Sequence, residues 1–110
     1  MLYKVKATIK QETLKDFFTA LTDGSVESQK PDGTTILKAM REAVMLDNTH
    51  IAWYEACYCA TPLRHERETV YDKYLTDIQT TMVYEVSDDL VGQSFWTRME
   101  DAYYDEAYSF

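Results

Sequence analysis

The chain has little of what usually staples or punctuates a small fold: two cysteines, two prolines and three glycines in 110 residues. Two cysteines one residue apart supply no disulfide framework. Three scattered glycines form no loop that could cradle a phosphate, and neither a Gly-x-Ser-x-Gly nor a His-Glu-x-x-His motif occurs. No apolar run approaches the roughly 20 residues that span a bilayer, and the alternating start Met1-Leu2-Tyr3-Lys4-Val5-Lys6 is unlike the apolar stretch of a secretory leader. The expectation is a cytoplasmic protein. Basic clusters are also missing: from Glu85 onward seven acidic groups face Arg98 alone. With a net charge of −8, neither nucleic acid nor an anionic membrane is expected as a partner.

What is present suits a folded domain. The hydrophobic fraction is 45% and the charged fraction 27%, ordinary globular values. One α+β domain is expected over residues 1–104, with an acidic, frayed tail at 105–110. Tyr3, Val5, Ala7 and Ile9 alternate with Lys4, Lys6 and Thr8, which predicts a half-buried strand. Leu14, Phe17, Phe18 and Leu21 have the spacing of one helix face, with Gly24 just beyond as a stop. Ser25–Gly33 reads as a loop, Thr34–Arg41 as a short helix, and Ala43–Leu46 with His50–Cys59 as a hairpin about Asp47-Asn48. Thr61-Pro62 offers a helix start for the stripe Leu63, Val70, Tyr71, Tyr74 and Ile78. A strand over Thr80–Val86 and a last helix capped by Ser94 complete the chain.

Without the short helix and the last one, the order is βαββαβ, the split βαβ or ferredoxin-like arrangement. It predicts a four-stranded antiparallel sheet with the main helices on one face. The other face would be open, and an apolar open face needs a partner or a ligand. A homodimer that binds a small molecule or a protein partner follows from that.

The chemistry-bearing stretch is Trp53–Arg67. Extended, it places Trp53, Glu55, Cys57 and Cys59 on one face, so Glu55 sits in apolar surroundings and needs a cationic or hydrogen-bonding partner. Lys4 or Lys6 on a neighbouring strand is the expected source. Cys57, Cys59 and His65 form a soft donor set suited to zinc or copper, but one intervening residue is fewer than paired zinc cysteines usually have. Buried, unreactive thiols are therefore expected, with no metal and no cofactor. The run Arg64–Glu68 reads as a solvated helix face, apart from Arg67. Arg67 falls on the apolar stripe and is expected to pair with Asp72 or Glu55. Trp53, Tyr71, Tyr74 and Tyr84 suit a core or interface as well as a pocket. The candidate ligand-binding residues are thus Trp53, Glu55, Cys57, Cys59, His65, Arg67 and Tyr71.

The run from Trp53 through Cys57-Tyr58-Cys59-Ala60-Thr61-Pro62-Leu63, His65-Glu66-Arg67 and Thr69-Val70-Tyr71-Asp72 to Tyr74 resembles a family of small, uncharacterised bacterial proteins, frequent in cyanobacteria. Leu21-Thr22-Asp23-Gly24-Ser25 and Gln29-x-Pro31-Asp32-Gly33 share the resemblance, which covers most of residues 2–85. It implies a ferredoxin-like fold related to dimeric α/β barrels and brings no catalytic residue with it. Three functions are open at this level: a homodimeric binding protein, a cofactor-free oxygenase or isomerase of the barrel type using Glu55, His65, Arg67 and Tyr71, and a metal or redox protein using Cys57 and Cys59.

Overall fold

A computed structural model describes residues 1–107, with side chains through Tyr104. Four strands, β1 (Leu2–Ile9), β2 (Val44–Met45), β3 (His50–Ala56) and β4 (Leu75–Val83), form one antiparallel sheet in the order β2-β3-β1-β4. That is the strand order of the split βαβ arrangement. Helices α1 (Gln11–Thr22) and α2 (Gly33–Glu42) precede β2; α3 (residues 64–74) links β3 to β4; α4 (Phe95–Ala107) follows the sheet. Strand alternation sorts β1 into two faces. Tyr3, Val5, Ala7 and Ile9 are buried with Leu14, Phe17, Phe18 and Leu21 of α1, as the sequence periods require.

Several boundaries differ from the sequence reading: β2 is shorter than Ala43–Leu46, α2 slightly longer than Thr34–Arg41, and β4 ends at Val83 rather than Val86. Three more bear on the site, and β1 explains two of them. β3 ends at Ala56 rather than Cys59 because Ala56 pairs with Leu2, the first residue of β1. β4 starts at Leu75, not Thr80, because β1 offers partners from Ile9 (to Leu75) back to Leu2 (to Val83). Ile78, which fits a helix stripe by spacing, is therefore a strand residue. The third difference is at α3, which begins at Arg64 rather than at Thr61-Pro62. Leu63 adopts a left-handed φ of 57° and is fully buried, so the chain turns sharply there before it can coil. Within α3, Arg67–Tyr71 is wound as a π-helix. At the other end α4 continues through Ala107, into the segment expected to be tail, and residues 108–110 lie outside the described residues.

The largest difference concerns the open face. After β4, residues 84–94 cross the sheet on the side away from α1 and α2. Asp89 is held there by Lys4 and by the Tyr54 hydroxyl. The strap then pairs with β2, through a Val44–Ser94 bridge and a bond from Met45 N–H to the Gln93 carbonyl at 2.7 Å. It delivers α4 to the helical side, where Phe95 and Met99 are fully buried and Trp96 packs edge-on against Phe18. Ser94 caps this helix as its sequence suggests, accepting from Thr97 N–H at 3.2 Å. The sheet thus has helices on one face and a strap across the other. Among the described residues no helix is long and apolar enough to cross a membrane.

Gly33 is fixed by packing against backbone. A Cβ on Gly33 would lie 2.3 Å from the Val26 carbonyl oxygen and 2.5 Å from that of Glu27. Backbone atoms cannot step aside as a side-chain tip can. Gly33→Ala is expected to cost about 1–3 kcal/mol, as overpacking does, read from urea unfolding.

Candidate functional site

The site grows from the end of β3 and the start of α3. Strand alternation turns Trp53 and Glu55 toward the helices, and both are buried. Glu55 lies opposite Tyr3, on the buried side of β1, so the lysines of β1 point away from it. Lys4 is engaged by Asp89, and the expected Glu55–lysine pair does not form. Instead one Glu55 oxygen, Oε1, accepts from Trp53 Nε1 at 2.9 Å and from the Tyr71 hydroxyl at 2.6 Å. The other, Oε2, is buried with no hydrogen-bond partner. Burial dominates over the two donors and pushes the Glu55 carboxyl up to about 7. The Tyr71 hydroxyl is also held well above its ordinary value, first by burial and then by the neighbouring Glu55 carboxylate. Tyr71→Phe would remove one donor from a buried acceptor. The expected loss is about 1–3 kcal/mol in thermal or urea unfolding.

Beyond Ala56 the chain leaves the sheet but stays against it: Cys57 N–H bonds to the Met1 carbonyl at 2.8 Å. Cys57 is buried and Cys59 half-buried, and the Cys59 N–H donates to Cys57 Sγ at 3.3 Å. Both are free thiols, and burial pushes Cys57 up to about 11. The turn through Leu63 brings α3 back over these sulfurs and places Glu66 beside them. Glu66 is 3% exposed, which corrects the reading of residues 64–68 as a solvated face. Its carboxyl is raised, first by burial and next by a hydrogen bond with the Asp32 carboxyl, while a hydrogen bond with Cys57 acts the other way. Its Oε2 has no hydrogen-bond partner.

Two triads of possible metal donors therefore share Glu66. Cys57, Cys59 and Glu66 have donor atoms within 4.8 Å of one another, and so do Asp32, His65 and Glu66. Asp32, the residue before α2, is hydrogen-bonded to His65 Nδ1. The structure thus brings Cys57, Cys59 and His65 into one neighbourhood, with Trp53, Glu55 and Tyr71 as the buried layer beneath. Arg67 stands apart, its Nε donating to Asp72 at 3.0 Å, one of the two partners expected. Tyr74 stacks on Phe17 and Tyr84 is 98% exposed, so they line no pocket with Trp53 and Tyr71.

Sequence reasoning passed over Glu66 and Asp32. A signal existed for the first. Glu66 lies three residues after Leu63 and four before Val70, on the same stripe that singled out Arg67. Nothing local marked Asp32, which joins the site through its hydrogen bond to His65, 33 residues away.

By class, then, the protein is an α+β domain of split βαβ strand order with a mixed thiol, carboxyl and imidazole cluster at the join of β3 and α3. Comparison of the chain with family models, curated proteins and solved structures gave no match. The likeness drawn from Trp53–Tyr74 accordingly stays a resemblance.

Proposed function

We propose that the protein binds a thiophilic divalent metal ion, zinc foremost, through Cys57, Cys59 and Glu66, with Asp32 and His65 alongside. The observation that carries this reading is Glu66: a buried carboxyl with an unpartnered oxygen, converging with two sulfurs on one side and an Asp–His pair on the other. Burying such a group without a counter-charge is costly. A cation among these donors offsets that cost, and thiolate with carboxylate and imidazole suits zinc. Three close protein donors leave a fourth position, for His65 after a small movement or for an external ligand. Asp32 serves as the outer partner that orients the imidazole. The half-exposed Cys59 and His65 favour exchange of the ion over a sealed structural site. A cytoplasmic setting agrees with this, because reducing conditions keep both cysteines as thiols.

Native mass spectrometry of chelator-stripped protein titrated with zinc tests the reading. One zinc ion per chain is expected, lost in Cys57→Ser/Cys59→Ser. Wild-type protein that stays metal-free, with both thiols reduced, would refute it.

A further inference from the structure

The two edges of the sheet are unlike. The β2 edge is two residues long and is closed by the strap through Ser94. The β4 edge is nine residues long, and among the described residues it pairs with β1 alone. Exposed edges are commonly guarded by lysine, proline or a bulge. Here the only such device is an irregularity at Asp77, with φ of 50°, near the start of the strand. The next seven residues, Ile78-Gln79-Thr80-Thr81-Met82-Val83-Tyr84, carry no charge and no proline, in a chain of net charge −8. That is the stretch where two copies can approach with the least repulsion.

We propose that β4 pairs antiparallel with β4 of a second copy, about a two-fold axis at Thr80, joining two sheets into one of eight strands. Charge removes one neighbouring register. Centred on Thr80, the pairing sets Gln79 against Thr81, Ile78 against Met82 and Asp77 against Val83. Centred one residue later, it would set Asp77 against Glu85, and like charges directly opposed destabilise a sheet. Packing agrees. Met82 and Thr80 lie opposite Tyr3 and Val5, on the helical side, yet Met82 is 51% exposed. In the pairing each Met82 meets the partner copy's Ile78, which already packs on the core. The apolar layer then continues across the junction. One strand pair buries little surface, so the dimer is a weak, exchanging one.

Sedimentation across a concentration series tests this, with one double variant at exposed positions. Gln79→Glu/Thr81→Glu sets like charges opposite one another across the axis, while on β1 each change faces Lys6 or Lys4, so the fold is retained. Wild type is expected to dimerise as concentration rises, and the acidic variant to remain monomeric. A wild type that stays monomeric throughout, or an acidic variant that dimerises as wild type does, would overturn the assignment.

Discussion

Zinc is expected to raise the unfolding temperature of the chelator-stripped protein by about 10 °C when supplied at roughly 100 times its dissociation constant. A ligand at that excess contributes about 2.7 kcal/mol by binding the folded state alone, and a domain of this length moves by about 4 °C per kcal/mol. Cys57→Ser and Glu66→Gln should each abolish most of this shift. The glutamine variant is the sharper test. It keeps the shape of a buried side chain whose raised carboxyl is costly to ionise, so metal-free stability should fall little. Scanning calorimetry with and without zinc reads both quantities. A shift of equal size in Glu66→Gln would move the ion to other donors and sink the proposed site.

The second large effect is a pH dependence set by Glu55. Its folded carboxyl titrates at about 7, against an ordinary 4.5. The folded state therefore holds this proton more tightly than the unfolded chain does. The associated stability is complete below about pH 4.5. It declines as pH rises and is exhausted above about pH 7, for a total on the order of 3 kcal/mol. In Glu55→Gln, which keeps an oxygen for Trp53 and Tyr71, that decline should vanish. Urea unfolding of both proteins from pH 4 to 8 with chelator present isolates the difference, because the other groups titrate alike in each. Parallel pH profiles would mean that Glu55 is already ionised in the folded state below neutrality, and that the two donors outweigh its burial.

Both predictions concern carboxyls that a local reading handled unequally. Glu55 was legible because a strand has period 2: once Trp53 is inside, Glu55 is inside. Its partners were not legible. Lys4 and Lys6 lie on the neighbouring strand as expected, but β1 turns them to the other face, and the hydroxyl of Tyr71 and the indole of Trp53 take their place. Glu66 carried the spacing of a buried residue and the chemistry of an exposed one, and a bare pattern gives chemistry the greater weight. Cys57 and Cys59 have the wrong separation for a tight metal turn, and this argued against a site. The structure brings His65 and Glu66 back beside the cysteines through the turn at Leu63, and adds Asp32 from far along the chain, where spacing rules do not reach.

By itself the sequence determined the class of the fold: the alternation in β1, the stripe of α1 and the order of elements leave few ways to bury the apolar residues. Tertiary structure alone decided where β3 and β4 end, because a strand stops where its neighbour stops. It decided that residues 84–94 cross the open face, because Asp89 finds Lys4 and Tyr54 there and α4 must reach the helical side. And it decided that Asp32 meets the turn carrying Cys57, Cys59, His65 and Glu66, since contact between groups far apart along the chain depends on tertiary packing, which no local period records.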